Sequence, residues 1–338
     1  MKIGKQTLEF EKNPKILNTA SVVGPKEAKA PLNIYFDKKY DDTFFDEKTF
    51  EKAESKMVMT TVDTLLSKIP TDNSSIDYIF AGDLLNQCIA TGYAVRELEI
   101  PFFGLYGACS TFVESLILAS SFINAEYGKK MIATASSHFC SSERQFRLPL
   151  EQGTQRTPTQ QWTTTACGAA LVTENNNSMK CPVVTYATVG KIVDMGIKDI
   201  ANMGAAMAPA AFDTIMTHLE DTKRKPDYYD LILTGDLGVV GSEILVDLLK
   251  ESGIDILANH NDCGKLIFDI EGQDMHAGGS GCGCCASVFC GYIYELLKTK
   301  KVNKVLLVAT GALMSPLSLG QGESIPSIAH AIAIENEV

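Results

Sequence analysis

Cys109 is the side chain in this sequence best placed to act as a nucleophile. It lies in the stretch Phe102 to Leu118, FFGLYGACSTFVESLIL, where an apolar segment meets Gly107 and Ala108 and then enters an amphipathic run from Phe112 to Phe122. Ser110 and Thr111 predict a helix start, because their hydroxyls can accept the orphan amide protons of a first turn. A thiol at such a start feels the positive end of the helix dipole, which favours the thiolate and lowers the pKa. A strand-to-helix hinge is also where nucleophiles are presented to substrate. The competing role for Cys109 is that of a small buried residue filling space, the common fate of free cysteines.

The polar candidates gather in two further places. His138 to Thr165 reads as the longest irregular segment, and segments of that length in compact domains are commonly lids or binding loops. It carries Glu143, Arg144, Arg147, Arg156 and Trp162. Arg144 and Arg147 stand one helical turn apart and can share a face, where guanidinium groups match carboxylates bidentately and stack on flat rings. The alternative pairs these arginines with Glu143 and Glu151, pinning the loop. His138 follows a predicted strand, at the strand end where ligands collect in open α/β sheets. His276 precedes a glycine-rich turn, and both histidines are expected to converge on Cys109. Ser280, with the amides of Gly279 and Gly281, is placed to form an anion-binding nest. No EF-hand loop is present, so any calcium arrives chelated by a ligand, with Asp236 or Glu143 as extra oxygen donors.

No resident metal or cofactor is expected. The chain has ten cysteines, but CGCC at 282–285 followed by Cys290 lacks the paired chelating spacing of a zinc site. Gly281, Gly283 and Ala286 fit G-x-G-x-x-A, yet no clean strand precedes them and no acidic residue follows at the dinucleotide spacing. The first residues, MKIGKQTLEFEKN, hold no apolar h-region, so no secretory signal is expected and the thiols are read as reduced. No segment is long and apolar enough to span a bilayer. A formal net charge of −11 argues against nucleic acid or an anionic lipid surface as the main partner.

The elements that must position these residues follow a repeating plan. Short strands are predicted at Gln6–Phe10, Ile16–Val23, Ile76–Gly82 and Lys130–Ser136. Helices are predicted from Asp46 to Ile69 and from Leu84 to Leu98, on the helical spacing of their apolar residues. Short apolar strands alternating with helices point to βαβ units and a largely parallel sheet. The second half repeats the first: Asp77–Asp83 reads DYIFAGD and Tyr228–Asp236 reads YYDLILTGD, with Gly-Asp-Leu triplets 153 residues apart (236 − 83). A helix at Val239–Lys250, a Gly- and Cys-rich turn at Gly278–Cys285, a helix at Ala286–Leu297 and a strand at Val305–Thr310 complete the second copy. Cys109 to Ile132 and Cys285 to Val308 both span 23 residues, which aligns Cys285 with Cys109. The chain therefore divides into two duplicated α/β halves, 1–180 and 181–338. The boundary falls in the polar run ENNNSMK, before a strand at Val183–Thr188.

Two such halves, with a cysteine at the nucleophile position of the first and a glycine-rich turn in the second, resemble the thiolase and ketoacyl synthase superfamily. The segments GACSTFVESL, SSHFCSSERQFRLP, TQQWTTTACGAAL, LILTGDLGVVG and DMHAGGSGCGCCAS are similar to a sporulation-associated family within it. That resemblance implies a thiolase-like α/β fold with mixed sheets in layered αβαβα order, and a homodimer. It also implies binding of dipicolinic acid (pyridine-2,6-dicarboxylate) or its calcium chelate. Such a protein would serve uptake of that acid into the developing spore with integral membrane subunits, themselves the route of its peripheral attachment to the spore inner membrane.

The sequence departs from the enzymes of the superfamily. Where ketoacyl synthase III relatives carry His-Gln-Ala-Asn, this chain reads Gly235, Asp236, Leu237 and Gly238, so no base stands at the first position. The place of their asparagine falls at about Cys282. The Gly-His-Pro segment of thiolases is echoed only by His276, Ala277 and Gly278. Condensation needs groups that shuttle protons and polarise a thioester carbonyl. The expected function is therefore non-catalytic ligand binding by Cys109, His138, Glu143, Arg144, Arg147, Asp236, His276 and Ser280. The alternatives are an acyl-CoA or acyl-carrier-protein condensing enzyme or hydrolase using Cys109, and a structural subunit with a vestigial pocket.

Overall fold

The computed structural model describes residues 1–146, 156–176 and 180–337. Ten principal strands form its frame. In the first half these are β1 (Lys15–Val23), β2 (Tyr78–Gly82), β3 (Phe102–Gly104), β4 (Lys130–Ser137) and β5 (Ala166–Thr173). In the second half they are β6 (Val183–Thr188), β7 (Leu231–Thr234), β8 (His260–Asp262), β9 (Lys304–Ala312) and β10 (Ser327–Glu335). The strand order is β3-β2-β4-β5-β1 and then β6-β10-β9-β7-β8. Adding five to each label of the first half gives the second half in mirror order. The sense of pairing repeats too: β2 is parallel to β3 and β4, and β7 to β8 and β9, while β5 and β10 run antiparallel to both their neighbours. In the sheet the halves meet along β6, where Val183 pairs antiparallel with Lys15 and Tyr186–Thr188 pair antiparallel with Thr7–Glu9.

The helices make the layers. On the outer face of the first half lie α1 (Phe50–Ser67) and α2 (Ile89–Leu98). Next in the chain come α3 (Thr111–Asn124) and α4 (Phe139–Phe146), then α5 (Met203–Thr222) and α6 (Gly238–Glu251), the last two covering the outer face of the second half. The central layer pairs α3 with α7 (Cys282–Val288), which continues through one π turn, Phe289–Ile293, into Tyr294–Lys298. Both central helices are buried between strands, α3 touching β2 and β4 of its own half and β9 and β10 of the other. This is the αβαβα order, and it explains why Phe112, Leu116, Val288 and Phe289 have no exposed surface.

Several expectations need correction. Matching the Gly-Asp turns aligns Gly82 with Gly235; Gly82 pairs with Ala135, and the β7–β9 ladder, whose last pair is Thr234–Val308, brings Gly235 opposite Ala309. The repeat thus runs two residues out of the register that matched Ile132 with Val308. The CGCC run is helix, because α7 starts at Cys282 directly after Gly281, whose φ of +105° only glycine adopts without strain. The segment expected to be irregular begins with α4, and Trp162–Thr163 pairs in parallel with Gly279–Ser280 as a two-stranded ribbon. Helix α2 starts at Ile89, not Leu84, since Gln87 and Cys88 lie in the left-handed region.

Candidate functional site

A pocket of about 290 Å³ opens over Cys109. Its polar lining comes from Cys109 and Ser280 on the floor and Ser142, Glu143 and Thr163 on one side, with Tyr106 exposed beside the turn that carries Cys109. Its apolar walls are Leu84, Phe146, Met203, Ala312, Leu313 and Met314, drawn from both halves. The Ser142 hydroxyl, on a side chain only 2% exposed, has no hydrogen-bond partner among the described residues. A buried donor left unpaired costs its full desolvation, so this atom is free for a ligand.

Cys109 occupies a 3-10 turn, Ala108–Ser110, directly ahead of α3, and Ala108 holds the left-handed conformation at φ +52°. The hinge expected from the sequence is present, but its hydroxyls act differently. Ser110 donates to the Gly107 carbonyl and Thr111 to that of Ala108, so neither caps the first amides of α3.

The thiol is held protonated rather than activated. Cys109 is 6% exposed, and its Sγ lies 3.9 Å from the Ser280 hydroxyl. Ser280 donates to Oδ2 of Asp236 at 3.1 Å; the same oxygen accepts the Gly281 amide at 3.0 Å, and Oδ1 accepts the Thr310 hydroxyl at 2.9 Å. Burial, then the Asp236 charge and a hydrogen bond to its carboxylate, push the Cys109 pKa well above the usual thiol value. This reverses the expected lowering: a helix end supplies only a fraction of a charge, and burial of the thiol, together with the Asp236 carboxyl beside it, outweighs that. Asp236 also takes the Gly281 amide, so the anion nest expected around Ser280 already holds an anion of the chain's own.

No base stands at Gly235, and a side chain there would be crowded. A Cβ there would lie 3.0 Å from Cα of Ala309 and 3.4 Å from Cβ of both Ala309 and Cys285. Cys282, at the expected place of the asparagine, donates its thiol to the Ser136 carbonyl at 2.8 Å.

Of the residues expected at the site, the structure brings together Cys109, Glu143, Asp236 and Ser280. Thr163 donates to Oε1 of Glu143 at 2.7 Å. His138 is elsewhere: it follows β4 as expected, but its ring turns to Phe45 and Phe50 while Nε2 bonds the Thr43 carbonyl at 2.7 Å. Burial lowers its pKa to about 4, so it is a neutral structural side chain. His276 is spent on the Thr157 carbonyl and on Asp274, outside the pocket. Arg144 points outward and pairs with Glu51 on α1. Arg147 and Glu151 lie outside the described residues. Arg156 bonds Asp274 and rests over Trp162, whose ring stacks on Phe139 at 3.9 Å.

Sequence reasoning missed Leu84, Ser142, Phe146, Thr163, Met203, Thr310 and the wall from Ala312 to Met314. Ser142 had a signal, as the neighbour of Glu143 just past a strand end. Met203 and the β9 terminus had none, because nothing local marks a residue that reaches the site from another layer.

Known proteins agree with this picture of the fold. 3-Oxoacyl-[acyl-carrier-protein] synthase III of Aquifex aeolicus superposes with a TM-score of 0.58 at 14% identity, covering 95% of this chain and 99% of that one. An OleA variant of Xanthomonas campestris superposes with a TM-score of 0.62 at 11% identity, covering 97% and 99%. The chain thus has the thiolase-like fold. Stage V sporulation protein AD of Bacillus subtilis (strain 168) is 45% identical over 333 residues, 98% of this chain and 97% of the relative. The stage V sporulation protein AD family matches residues 4–335. With that match spanning nearly the whole sequence, the chain belongs to the stage V sporulation protein AD family.

Proposed function

We propose that this chain is a non-catalytic binding protein for dipicolinic acid or its calcium chelate, and that it serves uptake of that molecule into the developing spore with integral membrane partners. The observation that carries the reading is the state of Cys109. A thiol kept neutral by burial and by Asp236, with its nest filled and no base at Gly235, is a pocket floor and not a nucleophile. Apolar walls that face each other and polar atoms along one side suit a flat ring with carboxylates on its edge. The volume sits at the small end of ligand cavities, which run roughly from 300 to 1,000 Å³.

Charge favours the chelate. Among the described residues the lining holds no lysine or arginine. Calcium would neutralise a dianionic ligand and takes protein oxygens readily. The second copy implied by the family fits at β3, an edge strand paired among the described residues only with β2, where Phe102 and Phe103 are 37% and 44% exposed.

Calorimetric titration with dipicolinate, with and without calcium and beside acetyl-CoA, tests the reading. The expected result is saturable binding, stronger with calcium and weakened about threefold to tenfold by Ser142→Ala, the scale of one hydrogen bond. Acylation of Cys109 by acetyl-CoA with no dipicolinate heat would replace it with the condensing-enzyme reading.

A further inference from the structure

The wall of the pocket formed by α4 is tied to the body of the protein by a buried acid that the site does not use. Glu54 on α1 has no exposed surface. Its Oε1 is 2.9 Å from the Ser136 hydroxyl at the end of β4, and its Oε2 is 2.9 Å from the Ser141 hydroxyl in the first turn of α4. Ser142, Glu143 and Phe146 of that helix line the pocket. A second tie between α1 and α4, Glu51 with Arg144, lies at the surface, where ion pairs are worth little.

A second carboxylate shares this interior. Asp83, in the turn after β2, is also without exposed surface. Its Oδ1 accepts the Leu85 amide and its Oδ2 the Thr91 amide, each at 2.7 Å, with the Thr91 hydroxyl at 2.7 Å as well. Amides cannot turn round to accept, so Asp83 keeps both oxygens as acceptors and is the ionised member. Both partners of Glu54 are hydroxyls, which donate or accept equally well. The proton of the pair therefore sits on Glu54.

We propose that Glu54 is a positioning residue for the binding wall: held protonated, it donates to Ser141, leaving the Ser141 hydroxyl to donate to the His138 carbonyl and so to fix the first turn of α4. That carbonyl lies 3.1 Å from the Ser141 hydroxyl and also accepts the Ser142 amide at 3.0 Å. When Glu54 ionises, Ser141 turns to donate to it and releases His138. The titratable groups that face Glu54 are Asp83, the Cys167 thiol on β5 and the Cys282 thiol on α7; among the described residues no cation acts on it. Burial, then the Asp83 charge, raise its pKa to about 8, while burial keeps both thiols neutral well above that pH.

The chain carries its own reporter, because Trp162 is the single tryptophan and stacks on Phe139, the first residue of α4. Trp162 emission of the wild type is expected to show a step near pH 8, absent in Glu54→Gln and in Ser141→Ala. The step should persist in Glu27→Gln, which removes a second buried acid of raised pKa, bonded to the Thr165 amide on the same segment as this tryptophan. A step unchanged in Glu54→Gln, or no step in the wild type, overturns the proposal. The ligand arm rests on the function proposed above. Dipicolinate affinity should fall about threefold to tenfold through the step in the wild type and stay flat in Glu54→Gln, the scale of one rearranged hydrogen bond. Equal pH profiles in the two proteins would also overturn the proposal. If neither protein binds dipicolinate, the ligand reading fails by itself and the emission step still decides the role of Glu54.

Discussion

Glu27 has no good place for a negative charge, and that makes stability depend on pH with a sign opposite to most carboxylates. It is 1% exposed; one oxygen accepts the Thr165 amide at 2.9 Å, and Oε2 has no partner among the described residues. Burial outweighs that amide and raises its pKa from 4.5 to about 7. The folded protein therefore holds a proton that the unfolded chain has already lost between these values. The stabilisation is complete below pH 4.5, falls as pH rises, and is gone above about 7. At 1.36 kcal/mol per pH unit, that window amounts to about 3 kcal/mol. With an unfolding entropy of about 2.1 cal/mol/K per residue over 338 residues, the same change moves Tm by about 4 °C. The perturbation is Glu27→Gln, which keeps the shape and removes the titration. Denaturant unfolding of both proteins across this pH range should show the variant gaining about 3 kcal/mol on the wild type as pH rises through 7. A difference that stays constant across the range would refute the reasoning, since it would mean that the Glu27 charge is solvated in the folded state.

Three further outcomes follow from the site. Iodoacetamide should modify the partly exposed Cys140 and Cys181 well before Cys109, and Asp236→Asn should speed reaction at Cys109; peptide mapping that finds Cys109 first would contradict the account of its thiol. Gly235→Ala should cost about 1–3 kcal/mol in denaturant unfolding, because its Cβ meets Ala309 at 3.0 Å, and a neutral effect would show that β9 can move aside. Arg144→Ala should leave dipicolinate affinity within about twofold, because the guanidinium pairs with Glu51 at the surface. A loss beyond tenfold in calorimetry would return Arg144 to the binding site.

Much was legible before any coordinates. The helical spacing around Met57 and Leu65 marked α1, the apolar run IDYIFAG contained β2, and the two Gly-Asp-Leu turns pointed to a repeat that the strand order carries twice. Signals of this kind are local, since an element's period and its end are written in adjacent residues. The two-residue slip in the repeat arose because the cysteine-bearing helix starts were matched by spacing alone. The ladder between β7 and β9 sets the true register, and pairing partners 74 residues apart leave no mark in either segment.

The sequence by itself determined where chemistry was available: a cysteine at a strand-to-helix hinge, a serine before a glycine of special conformation, and a glycine in place of a base. Only the tertiary structure decided what that chemistry amounts to. Cys109 is neutral because packing buries its thiol and sets it beside the carboxylate of Asp236, 127 residues later in the chain (236 − 109), whose effect outweighs the hydrogen bond from Ser280. His138 faces away because Phe45 and Phe50 receive its ring, and Arg144 leaves the pocket because Glu51 stands on the adjoining helix. The direction of a side chain and the cost of a charge depend on what surrounds them in space. Those surroundings are assembled here from both halves of the chain.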